Sequence, residues 1–133
     1  MIYLGISLIV LAGYFEAIRD TIEHHFNTSI FRWKYFNQKF WNPDLSWLNK
    51  YNDVKLNYGV YVPKFYLSTT LLVGLTDAWH LFKGLEKLCR IAGYSMIAAK
   101  MGMGIETLWM ICASRILEGL VFTVFYSRLL ICK

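Results

Sequence analysis

From Ile2 to Phe15 the chain reads IYLGISLIVLAGYF, without one charged side chain. Such a run constrains the fold more than anything else in the sequence. Continued through the next turns it predicts a helix over about 2–25. At 1.5 Å per residue that length crosses a hydrocarbon core of about 30 Å. A secretory leader would carry a basic region before the run and a small-residue cleavage site after it. Neither is present, so the segment reads as a first transmembrane span.

Composition agrees with that reading. The 133 residues are 56% hydrophobic and 17% charged, with a mean hydropathy of +0.38. Soluble domains lie near 45–50% apolar and about 25% charged. Five Trp and nine Tyr suit the headgroup level, where amphipathic rings concentrate. The net charge of +5 could meet nucleic acid or anionic lipid. The basic residues are dispersed among aromatic rings between hydrophobic segments, which favours membrane lipid as the partner and argues against nucleic acid. Cys89, Cys112 and Cys132 form no CxxC pair and no zinc spacing, and read as small buried hydrophobes.

Residues 27–65 change character. Phe31, Trp33, Tyr35, Phe36, Phe40, Trp41, Trp47, Tyr51, Tyr58, Tyr61 and Phe65 alternate with Arg32, Lys34, Lys39, Lys50, Lys55 and Lys64. No helical or strand period runs through them. Pro43 and Pro63 break any long helix, and Asn57-Tyr58-Gly59 offers a turn. The segment predicts an interfacial loop without regular structure, rings in the headgroups and basic tips in water. Asn27-Thr28-Ser29 matches a glycosylation acceptor but lies too near the first span to be used.

A second apolar stretch covers about 66–98, interrupted by Lys83, Glu86, Lys87 and Arg90. Two registers are open. A span over 66–82 leaves those charges at the far interface; one over 72–98 brings them to mid-membrane, at about 2.5–3.5 kcal/mol each unless paired. Ser68, Thr69 and Thr70 are expected to bond back to helix carbonyls. Gly102-x-Gly104 breaks the chain, and a last span follows over about 105–130, closed by Arg128 and Lys133. The expected fold is an all-α membrane protein: one transmembrane domain, 1–133, forming a three-span helical bundle. Lysine and arginine counts place the loop and the C-terminus on the cytoplasmic side.

The informative residues are the ionisable ones inside the apolar helices. Glu16, Asp20 and His24 recur at i+4 and share one face. Asp77 and His80 sit at i,i+3, as do Arg115 and Glu118. Counted inward from the loop side, these groups reach overlapping depths. Lipid cannot solvate them, so they should turn inward and meet. His25 falls off the stripe.

Two uses of such a cluster stand side by side. In one, Asp77 or Asp20 pairs with Arg115, His80 satisfies a carboxylate, and the network only fixes helix register. In the other, Glu16, Asp20, His24, Asp77, His80 and Glu118 form a carboxylate–imidazole set for a divalent metal ion, the logic of di-iron bundles. Asp20, Asp77 and His80 would then supply acid/base chemistry on a lipid-soluble substrate, with Arg115 clamping its phosphate. No serine-nucleophile elbow, zinc-protease helix, phosphate-binding loop or dinucleotide glycine pattern is present.

The motifs His25-Phe26-Asn27-Thr28-Ser29-Ile30-Phe31, Phe40-Trp41-Asn42-Pro43, Ser46-Trp47, Asn49-Lys50-Tyr51 and Thr76-Asp77-Ala78-Trp79-His80 resemble a group of small uncharacterised bacterial membrane proteins. These are common in Bacteroidetes-type genomes and their mobile elements. The resemblance covers about 15–82. It implies a membrane location, the inner membrane of a bacterium, and no particular activity. Three functions follow as expectations: a metal-binding or acid/base membrane protein, a non-catalytic membrane subunit or scaffold docking through its loop, or a proton or ion pathway lined by an oligomer. A homo-oligomer or a membrane-protein partner would shield the polar stripe, which three helices cover poorly.

Overall fold

The computed structural model describes residues 1–55, 61–102 and 104–132. The expected turn at Asn57-Tyr58-Gly59, the middle residue of Gly102-x-Gly104 and the terminal Lys133 lie outside the described residues. Three long helices dominate: α1 (Ile2–His24), α4 (Ala78–Met101) and α5 (Ile105–Val124). Between α1 and α4 lie the short helices α2 (Gln38–Trp41) and α3 (Pro43–Ser46), then β1 (Tyr51–Lys55) and β2 (Tyr61–Pro63). Two helical stretches, Ile2–His24 and Ile105–Leu129, are long and apolar enough to cross a bilayer. The second includes a π-helical turn over Phe125–Leu129 that continues α5.

The helix over 66–98 is corrected in position. Residues 66–77 form turns and a 3₁₀ segment, and α4 begins only at Ala78. The reason is Asp77, whose extended backbone and side chain cap the helix by accepting the His80 N–H at 2.8 Å. Ser68 likewise turns away from any helix, donating its hydroxyl to the Lys50 carbonyl at 2.8 Å. At the other end Gly102 closes α4 with φ +77°, a left-handed value that favours glycine.

Residues 27–65 are more ordered than expected. Asn37 and Asn42 cap α2 and α3 by accepting the Lys39 and Asp44 N–H groups, and Pro43 occupies the first turn of α3. β1 and β2 pair antiparallel, Tyr51 opposite Pro63. Nor do all the rings face outward. Phe31 stacks on Trp41 at 4.6 Å, Phe36 and Phe40 meet Trp41 edge-on, and Trp41 packs against Phe82 of α4. Phe26, Phe31 and Leu130 join Ala17, Ile18, Ile22 and Ala78 in one buried cluster. The segment therefore closes one end of the helices as an aromatic cap. Trp33, Tyr35, Trp47, Tyr61, Phe65 and Tyr66 remain exposed.

Close contacts fix the helix directions. Gly5 of α1 meets Gly93 and Ile97 of α4, while Phe15 meets Phe82 and Glu23 accepts the Trp79 indole N–H. The two helices run antiparallel. Gly13 meets Glu118 and Tyr14 meets Phe125, so α5 runs parallel to α1. The chain's last residues return to the capped end. Ile30 donates its N–H to the Leu130 carbonyl at 3.1 Å, and Cys132 donates to the Thr28 carbonyl at 2.6 Å.

Candidate functional site

Each long helix supplies acids and bases at helical spacing, and α1, α4 and α5 turn them toward one another. Arg19 donates to Asp20 at 2.7 Å and, across the helix pair, to Glu86. Arg90 donates to Glu86 at 2.7 Å, to Glu16 at 3.0 Å and to Glu118 at 2.5 Å. Arg115 donates to the other oxygen of Glu118. The result is a ladder that alternates in sign: Asp20, Arg19, Glu86, Arg90, Glu118, Arg115, with Glu16 bridging Arg19 and Arg90. Glu86 and Glu118 are buried deepest, at 4% and 2% side-chain exposure. Among the described residues no buried side-chain nitrogen or oxygen lacks a hydrogen-bond partner.

Glu16, Asp20, Arg115 and Glu118 thus belong to one ladder, without His24, Asp77 and His80. Arg19, Glu86 and Arg90 complete the ladder and lie outside the candidate set that the sequence suggests. Their signal was in the sequence. Glu16-x-x-Arg19, Glu86-x-x-x-Arg90 and Arg115-x-x-Glu118 are acid–base pairs one turn apart, one on each helix. Arg115 is paired with Glu118 rather than with Asp20 or Asp77.

The other expected site residues lie elsewhere. Asp77 and His80 sit at the capped end, at the start of α4. Both Asp77 carboxylate oxygens lie 2.8 Å from His80 Nδ1. A carboxylate only accepts, so Nδ1 donates and Nε2 is the free nitrogen. Asp77 is buried and His80 partly open, on a cavity of about 250 Å³ lined also by Glu23, Ser46, Trp47, Lys50 and Trp79. His24 borders a different cavity, with Glu23, His25 and Asp44. His25 packs edge-on against Tyr126. The six residues expected as metal ligands therefore divide between the ladder and the capped end. Among the described residues no three His, Cys, Asp or Glu side chains group so as to hold a metal ion.

Asp77 carries two jobs that substitution can separate. Asp77→Ala is expected to destabilise the fold by about 1 kcal/mol through the lost cap. Asp77→Asn keeps an acceptor for the His80 N–H and should cost less. Chemical denaturation of the two variants beside the parent measures the difference.

Comparison with known protein families, curated proteins and solved structures finds no match for this chain.

Proposed function

We propose that this chain is a small integral membrane protein of three spans that serves as a non-catalytic subunit or scaffold, its ionisable residues acting as internal ion pairs. One observation carries the reading: Glu16, Arg19, Asp20, Glu86, Arg90, Arg115 and Glu118 are paired with one another within the chain, while large apolar side chains cover much of the outward faces. Leu4, Leu11, Leu88, Ile91, Leu108, Trp109, Ile116 and Leu120 are all exposed. A soluble domain would bury an apolar helix. Only 11% of the most apolar stretch of α5 is buried within the chain, which suits lipid.

The pairing offsets part of the charge on α4, the proposed third span, on which Lys87 stays exposed. Glu86 and Arg90 turn inward, and Lys83 leans back over the Trp79 ring, Nζ 4.1 Å from its centroid, toward the capped end. The exposed rings of 33–66 would sit at the headgroups, the capped end being the cytoplasmic one. Impermeant maleimide tests the topology in inverted and right-side-out inner-membrane vesicles. Cys132 is kept, or replaced by one cysteine at Gly104, after Cys89 and Cys112 are changed to alanine. The two positions should label from opposite faces, Cys132 from the cytoplasmic one. Labelling from one face would sink the three-span reading.

A second reading rests on the Asp77–His80 geometry, which presents an oriented imidazole at a cavity between Trp47 and Trp79. That is the arrangement of a general base. It would act on a lipid-soluble substrate at the interface. Lipid turnover by the parent protein that disappears in His80→Gln, with unchanged unfolding, would favour this reading over the scaffold.

A further inference from the structure

At the capped end a cavity of about 290 Å³ opens between α2, the 3₁₀ turn at Trp47–Lys50 and the β1–β2 pair. Two lysines reach it from separate stretches of chain, Lys39 from α2 and Lys64 from just after β2. Among the described residues no aspartate or glutamate lines it, and neither lysine is in an ion pair. Two other cavities at this end carry their own counter-charge. One is lined by Lys50 with Glu23 and Asp77, the other by Glu23 and Asp44.

Lys64 is held in place. Its Nζ donates to Asn49 Oδ1 at 3.0 Å, and the other end of that amide is fixed, Nδ2 donating to the Thr76 carbonyl at 2.7 Å. The Lys64 backbone N–H is tied to the Lys50 carbonyl at 2.9 Å. An ammonium has three N–H donors, so Lys64 keeps donors for an outside acceptor. Part of the wall is apolar: Leu45 and Leu48 line the same cavity and are 45% and 43% exposed.

We propose that this cavity holds the phosphate of an anionic glycerophospholipid. Two cations converging on a space without an acid call for an anion, and an ammonium binds phosphate oxygens as a compact point charge. Leu45 and Leu48 select the source. A free phosphate ester would gain nothing from them, whereas the glycerol and first acyl carbons of a lipid would cover them. A zwitterionic headgroup would bring its own ammonium against Lys39 and Lys64, so the headgroup carries net negative charge. Lipid of that kind is what a cytoplasmic leaflet offers to a basic segment.

The site rests on the capped end lying at a membrane surface, as the three-span reading has it. The test uses the full chain in mild detergent, mixed with equal amounts of phosphatidylglycerol and phosphatidylcholine of identical acyl chains. Native mass spectrometry counts the lipid that the protein retains. Phosphatidylglycerol should be retained about tenfold more than phosphatidylcholine. Lys39→Gln with Lys64→Gln should abolish that preference, helicity unchanged. Lys34→Gln with Lys83→Gln removes the same charge outside the cavity and should keep it. Equal retention of the two lipids by the parent overturns the proposal. So does an equal loss in both double variants, which would show only general attraction to a basic surface. Excess glycerol phosphate should leave the lipid bound; displacement of phosphatidylglycerol at comparable concentration would reassign the cavity to a free phosphate ester. If the maleimide experiment places Cys132 and position 104 on one side, the three-span reading itself has failed. If topology holds and the lipids behave alike, only the lipid site has failed.

Discussion

Replacing Arg90 by leucine is expected to lower the stability of the helical bundle by at least about 3–5 kcal/mol, the range found when one partner of a buried ion pair is removed. Arg90 is the hub of the ladder. Its guanidinium reaches Glu16 on α1, Glu86 on its own helix and Glu118 on α5. Without it Arg19 still covers Glu86 and Arg115 still covers Glu118. Glu16 would keep only the longer 3.8 Å approach of Arg19. Four carboxylates, Glu16, Asp20, Glu86 and Glu118, would then share two guanidiniums in a poorly solvated core, and repel one another.

Unfolding in mild detergent, followed by circular dichroism, measures the loss. A contrast makes the result diagnostic. Substituting Glu16, Glu86, Arg90, Arg115 and Glu118 together by leucine or methionine removes the hub, all three of its carboxylates and the arginine that Glu118 pairs with, and leaves Arg19 on Asp20. That variant should be much more stable than Arg90→Leu alone, because wholesale replacement of a buried ion network by packed apolar side chains is often neutral. If both variants are equally impaired, the ladder is not what holds the helices in register.

The ladder was partly legible in the sequence, and the reason is instructive. Carboxylates at Glu16, Asp20 and Glu118 stand out within apolar helices, and the argument that lipid forces them inward needs no structure. Glu86 and Arg90 were harder, because they lie in a segment that also carries Lys83 and Lys87. Locally the segment looks like a charged surface rather than one polar face. Its register depends on Asp77, which reads equally well as a buried functional carboxylate or as a helix cap. The structure makes it a cap, and that choice shifts the start of α4 to Ala78. With it, Asp77 and His80 move away from the acids of α1 and α5. The loop misled for a different reason. Its order comes from Asn37 and Asn42 caps and from rings packing across sequence, Trp41 on Phe82 above all. Neither produces a period.

What lets the ladder close is the nearness of the backbones, and Gly13 is where that can be tested most sharply. A Cβ at Gly13 would stand 2.6 Å from the Glu118 carbonyl oxygen and 2.8 Å from its Cγ. The clash is with backbone, which cannot rotate away. Gly13→Leu should therefore force α1 and α5 apart, at the upper end of the ~1–3 kcal/mol typical of overpacking or beyond. It should also loosen Glu118, whose pairs with Arg90 and Arg115 depend on that approach. Gly84 supplies the control, since nothing lies within 4 Å of its Cβ position in the second turn of α4. Gly84→Ala should gain about 0.5–1 kcal/mol from helix propensity alone. Both variants can be read in one detergent-unfolding series. Equal and opposite shifts smaller than that would mean that α1 and α5 are not held at this separation. The ladder would then be a consequence of the packing less than a partner in it.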